Sequence, residues 1–204
     1  MTHPKHASVD HNVLEIIRQR WSPRAFEANR QIPVAELARL FEAARWAPSS
    51  GNEQPWRFLA ADRDRTPELF AGLHGTLTGR NPAWAGAAPV LVLTAVRITL
   101  ERSETLNPLA YYDTGQAVAL LTLQATSQEL FIRQMEGFDR ERAREAGRVP
   151  APFEPAVIMA IGYSGDPESL SHDKHRQAET TPRNRRPLGE IAFDGVWGKA
   201  LGGQ

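Results

Sequence analysis

Ala47-Pro48-Ser49-Ser50-Gly51-Asn52-Glu53-Gln54-Pro55-Trp56 joins a helix-patterned segment to a strand-patterned one. Upstream, a helix begins at Ile32-Pro33, with proline at the favoured first position, and carries Leu37, Leu40, Phe41 and Ala44 at helical spacing. Pro48 ends it. Downstream, Trp56 to Ala61 reads as a strand. The residues between offer hydroxyls, amides and freed backbone N–H groups, a set suited to an acceptor-rich planar ligand such as an isoalloxazine or a nucleobase edge. A plain Ser/Gly/Asn turn has the same composition.

The chain has 204 residues, 41% hydrophobic and 24% charged, with Lys+Arg and Asp+Glu equal at 24 each. That suits one globular domain over residues 1–204. The even charge balance argues against nucleic acid as a partner. Cysteine is absent, which removes disulfides, thiolate nucleophiles and Cys-ligated metals. The polar N-terminus lacks a signal-peptide core. The longest apolar runs, 87–96 and 117–123, fall short of the ~18 residues that a membrane span needs. A cytoplasmic location, without membrane or metal, is the expectation.

Working outward, a first helix is expected from Asp10 to about Arg20, with Asp10 as N-cap and Val13, Ile16 and Ile17 on one face. Arg20, Ser22 and Arg24 then alternate around Pro23, so an extended backbone presents two guanidinium forks and a hydroxyl on one side, a phosphate clamp. Any exposed strand shows the same alternation. A helix is expected over 67–77, a turn over 79–84 and a fully covered central strand over 89–96. Residues 110–130 read as the longest helix, apolar nearly all round in its middle and therefore buried on several sides, as in a subunit interface. Residues 131–139 read as a Gly-containing joint whose Asp139 caps the next helix, and Ala156–Tyr163 as a strand. From Ser164 the chain turns polar. His172 and His175 there could ligate a metal, but a solvated tail suits the composition better. Arg183 and Arg185 supply a second arginine cluster, a usual mark of solvated surface.

In order and spacing these elements resemble the nitroreductase family of FMN-dependent oxidoreductases. Arg20-x-Ser22-x-Arg24-x-Phe26 is similar to its N-terminal phosphate and ribityl motif, and Pro48 to Trp56 to its Pro-Ser-Ser-x-Asn-x-Gln-Pro-Trp signature. Met135-Glu136-Gly137-Phe138-Asp139 resembles the segment whose N–H reaches the flavin N5. Arg183-x-Arg185-x-Pro187 resembles the C-terminal phosphate clamp, and Asn81 the asparagine at the flavin pyrimidine. The resemblance implies an α+β fold with a mostly antiparallel sheet flanked by helices, in a domain-swapped homodimer whose C-terminal arm, about 164–204, crosses the partner. It implies FMN bound by Arg20, Ser22, Arg24, Asn81, Glu136, Gly137, Arg183 and Arg185 of one subunit and by the loop Pro48 to Asn52, with Ser49 and Ser50, of the other, and it adds Trp21, Gln54 and Met135 to the cofactor contacts.

With the cofactor carrying the electrons, no catalytic side chain is required. NAD(P)H, a transient visitor, passes hydride to FMN, and a nitroaromatic, quinone or enone then takes it in a ping-pong cycle. A reductive dehalogenase or a flavin-fragmenting oxidase on the same scaffold, or a non-catalytic flavin-binding sensor, would keep the same contacts. Three departures stand out. Trp84 occupies a position that is often lysine, the segment between Val96 and Tyr111 is short, and Glu129 to Arg133 replaces a common Gly-Leu pair.

Overall fold

In a computed structural model, residues 3–202 are described. Helix α1 (Glu15–Gln19) is followed by α2 (Val34–Arg45), strand β1 (Trp56–Asp62) and helices α3 (Pro67–His74) and α4 (Pro82–Ala85). Then come β2 (Val90–Arg97), α5 (Ala110–Ser127), β3 (Leu130–Met135), α6 (Arg140–Gly147), β4 (Phe153–Tyr163) and α7 (Asp173–Thr180). The strands form one antiparallel sheet in the order β1-β2-β4-β3.

Strand β2 is the spine, as its unbroken apolar run requires. Leu91, Leu93 and Ala95 face a layer built from Phe70 and Leu73 of α3, Trp84 of α4 and Ala143 of α6. Val90 and Val92 face the opposite layer, from Leu37, Leu40 and Ala44 of α2 and Ala117, Leu121 and Ala125 of α5. Each such fully buried Leu or Val contributes about 1.5–3 kcal/mol of transfer free energy.

Several expectations are corrected. The first helix is only five residues long, has no side-chain N-cap and buries none of its residues, while Val13, Leu14 and Ile17 lie exposed. With no core to pack against, the segment from Asp10 to Leu14 gains too little to offset the cost of helix nucleation. Pro33 stands one place before α2, as its N-cap. The long helix stops at Ser127, and a left-handed Glu129 turns the chain into β3. One flank of α5 is covered, whereas Tyr111, Tyr112 and Ala119 stay exposed.

Leu130, expected to end the long helix, and residues 131–135 of the supposed joint pair with β4, Leu130 opposite Tyr163 and Met135 opposite Ile158. Arg133 and Gln134 break the apolar pattern, which hid this strand from a reading by periodicity. The expected turn over 79–84 runs into α4 from Pro82. The supposed solvated tail forms α7, with His175 and Glu179 buried. Asp139 caps α6 as expected, accepting from the Arg142 N–H.

The stretch after α1 is sewn to the end of β4. The Glu27 N–H donates to the Tyr163 carbonyl and the Gly165 N–H to the Ala25 carbonyl. At Gly165 a Cβ would lie 2.5 Å from the Phe26 carbonyl carbon and 2.6 Å from its oxygen. Both are backbone atoms that cannot swing aside. Gly165→Ala is therefore expected to destabilise the fold by about 2–3 kcal/mol. An unchanged denaturation midpoint would show that these segments can part freely.

Candidate functional site

The segment 20–24, β3, α7 and the arm beyond it converge on a cleft of about 300 Å³. Its lining carries Arg20, Arg24, Arg133, Arg183, Arg185 and Lys5 against one carboxylate, Glu179. Among the described residues, none of these six cations has a carboxylate within ion-pair distance. On a chain of zero net charge, the cleft is a concentrated positive site.

Glu179 is buried and its charge is used locally. It accepts from the Arg24 N–H through both oxygens at 3.1 Å and from the Ala25 N–H at 3.2 Å. The carboxylate thereby clamps the backbone that carries Arg24 and leaves the guanidinium free. Arg20 reaches the Ser22 hydroxyl at 3.2 Å, so the expected clamp residues do meet. Arg183 is held differently. Its two terminal nitrogens donate to the carbonyls of Arg18 and Arg20 at the end of α1, while its buried Nε has no partner. It brings charge to the cleft with most of its fork committed. Arg185 is exposed at the rim. Trp21 forms the wall, buried edge-on against Phe131, with His3 packed at 5.4 Å between centroids.

Burial and mutual repulsion act on these groups. Burial lowers the Arg20 pKa, and Arg185 lowers it further. Burial, then Arg20 and Arg185, do the same to Arg183. Arg133 falls to about 10, through burial first and Arg24 second. Buried Lys5 is also lowered by burial, with Glu179 opposing, and its ammonium donates to the Thr181 carbonyl. Excess positive charge of this kind favours an anion.

A second cluster adjoins the first through Trp84. The Arg133 guanidinium lies 5.6 Å from the Trp84 ring centroid, and Phe26 stacks on the same ring. Just before Trp84, the Asn81 amide donates to the Gly137 carbonyl at 3.2 Å, and the Thr78 N–H donates to that oxygen at 2.9 Å. A side chain at Gly137 would press on Asn81 Nδ2 at 3.1 Å and Thr78 Oγ1 at 3.2 Å. The Gly137 N–H has no acceptor among the described residues. Met135 is buried as the last residue of β3, and Glu136 is exposed.

The loop after α2 stands apart. None of Pro48, Ser49, Ser50, Asn52 or Gln54 lines the cationic cleft. The loop is tightly wound, with Gly51, Asn52 and Gln54 all at positive φ, and the Ser49 hydroxyl accepts from the Gln54 N–H. The Ser50 N–H donates to buried Asp113 of α5 at 3.0 Å.

Sequence reading missed Arg133, Glu179, Lys5 and Asp113. The signal for Arg133 was a charge inside an apolar, strand-length run. Glu179 and Lys5 offered none, since both lie in polar segments. The rings of His172 and His175 lie 5.1 Å apart and tilted, with no third His, Asp or Glu in metal-binding reach among the described residues. His172 instead caps α7, accepting from the Lys174 N–H. No helix among the described residues is long and apolar enough to cross a membrane.

Residues 17–163 match the model of the nitroreductase family, and the chain belongs to that family. A protein of Mycolicibacterium smegmatis, described as an uncharacterized 15.4 kDa protein in the ask 5' region, is 34% identical over 138 residues, covering 68% of this chain and 90% of that one. The major NAD(P)H-flavin oxidoreductase of Aliivibrio fischeri is 30% identical over 78 residues, 36% of this chain and 32% of its own. A solved structure entitled "The crystal structure of the oxidoreductase containing FMN" superposes with a TM-score of 0.87 at 30% identity, covering 98% of this chain and 100% of that one. Lys5, Glu179, Arg183 and Arg185 lie outside the family match.

Glu179→Ala leaves the Arg24 and Ala25 N–H groups without their acceptor, and a loss of about 2–4 kcal/mol is expected in chemical denaturation. A wild-type midpoint would mean that the clamp is idle. A pH effect follows from His175, whose pKa is lowered from 6.5 by burial and then by Arg24 and His172. Around and below pH 6.5 the unfolded chain binds a proton that folded His175 refuses, so stability falls as pH falls through that window. His175→Gln is expected to flatten this part of the melting-temperature profile. An identical slope in the variant would assign it to other groups.

Proposed function

We propose that this chain is an FMN-dependent NAD(P)H oxidoreductase that reduces a small acceptor such as a nitroaromatic, a quinone or an enone. The observation that carries this reading is the cluster of cations free of ion pairs, joined through Trp84 to the amide-lined Asn81–Gly137 corner. Arg20, Arg183 and Arg185, with the Ser22 hydroxyl, suit a phosphate dianion. The free Gly137 N–H and the Asn81 side chain suit the hydrogen-bonding edge of a planar ring. The residues present therefore fit FMN, and the proposed cofactor contacts comprise the set named for the resemblance together with Arg133 and Lys5.

When bound, FMN supplies the two-electron chemistry, accepting hydride from NAD(P)H and handing it on. The chain's task is to anchor the phosphate and hold cations near the ring. Glu179 keeps Arg24 in place, and Trp21 closes one wall against water. The cleft lacks the Pro48–Gln54 loop, and α5 leaves Tyr111 and Tyr112 bare. A homodimer in which the partner supplies that loop, with the 164–204 arm reaching across, accounts for both. One domain over 1–204 and a cytoplasmic location go with this reading.

The purified protein is expected to be yellow, to release FMN on heating in near-equal amount to subunits, and to run as a dimer. It should consume NAD(P)H steadily when an acceptor is present under nitrogen. Arg20→Ala should weaken FMN binding by about ten- to a hundredfold, the worth of a charge-assisted hydrogen bond. A colourless protein that takes up no added FMN would falsify the assignment.

A further inference from the structure

Arg133 and Lys5 are the cleft cations that sequence reading missed, and the surroundings of Arg133 differ from those of the other arginines. It projects from β3 and donates through Nη1 to the Ser22 carbonyl at 2.7 Å, its only side-chain hydrogen bond among the described residues. A guanidinium has five N–H donors, so most of this fork is unused. The group rests over Trp84, a contact that holds a planar cation in one orientation. Trp84 is itself fixed by burial and by Phe26 rather than by hydrogen bonding, since its buried Nε1 has no partner.

The charges acting on one another sort the cleft arginines into two groups, with Lys5 between them, acted on by Arg183 of the first and by Arg24 and Arg133 of the second. The Arg185 charge acts on Arg20, and the charges of Arg20 and Arg185 act on Arg183. Arg133 is perturbed by Arg24 and Glu179 instead. The first group sits with the Ser22 hydroxyl. In the second, Arg133 lies over Trp84, and thus toward the Asn81–Gly137 corner. A single phosphate needs only one of these poles.

Resting on the FMN reading above, we propose that Arg133 sets the reduction potential of the bound cofactor: with Arg24 it forms a second positive pole that holds the negative charge of the reduced ring. Hydride transfer converts NAD(P)H and neutral oxidised ring to NAD(P)+ and a ring carrying one extra hydrogen at N5 and a negative charge over N1 and the C2 carbonyl. No other co-reactant enters. A fixed cation attracts that charged ring and is nearly indifferent to the neutral one, so Arg133 acts on one redox state selectively.

The test uses holoenzyme of the wild type, Arg133→Gln and Arg133→Lys. The glutamine amide can still donate to the Ser22 carbonyl while the charge is gone, and lysine keeps the charge without the planar stack. Affinity for oxidised FMN is read by fluorescence, and the midpoint potential by equilibration with a reference dye. Arg133→Gln should hold oxidised FMN nearly as well as wild type and reduced FMN about tenfold more weakly, lowering the two-electron potential by about 30 mV. Arg133→Lys should recover most of that shift. Equal weakening of both redox states, or no change in either, overturns the proposal. Wild-type protein that binds no FMN overturns the underlying reading instead.

Should Arg133→Gln fail to retain the cofactor, wild-type holoenzyme loaded with nitrogen-15 FMN decides. Its reduced N1 should remain unprotonated at about pH 6, because a neighbouring cation favours the anion. A proton on N1 at that pH overturns the proposal.

Discussion

Like charges gathered around a cleft repel one another, and two guanidinium groups some 7 Å apart at a protein surface oppose each other by about 2 kcal/mol. Something must hold the segments that carry them. Here the restraint is the Glu179 carboxylate, which reaches across 155 residues of sequence to the N–H groups of Arg24 and Ala25. Because it binds backbone rather than a guanidinium, it anchors α7 without neutralising the side chains beside it. Arg183 works the same way from the other direction, committing its terminal nitrogens to the carbonyls that end α1. The site is held together by contacts that leave its charge available.

The sheet makes this possible by providing a rigid edge. Strand β3 lies at the margin of the order β1-β2-β4-β3, so one side of it is free to face the 20–24 segment. The end of β4 is pinned to residues 25–27 by the Gly165 and Glu27 bonds. The arginine-bearing stretch is therefore bound to the core at Ala25, to β3 through Arg133 and to α7 through Glu179. Three attachments from distant parts of the chain fix the clamp to within the freedom of its own side chains.

The elements that face the core were legible because apolar patterning and burial have the same cause. The run at Val90 to Val96 announced a covered strand, and the helical spacing of Leu37, Leu40 and Ala44 announced α2. Reading failed where the competing signal was polar. Strand β3 was lost behind Arg133 and Gln134, and α7 behind a segment whose only buried anchors are His175 and Glu179. The site followed the same rule. Arg20, Ser22 and Arg24 showed themselves by local alternation, and Arg183 and Arg185 by clustering. Arg133 and Glu179 had no such neighbours to mark them.

The sequence by itself determined the family, the two apolar layers and the identity of most cleft-lining arginines, because short-range spacing carries that information. Only the tertiary structure decided which charges meet. It put Arg133 over Trp84, turned Glu179 from a tail residue into the clamp on Arg24, brought Lys5 into the cleft lining and left the Pro48–Gln54 loop outside the cleft. These are contacts between residues up to 176 positions apart, and local pattern holds no record of partners at that distance.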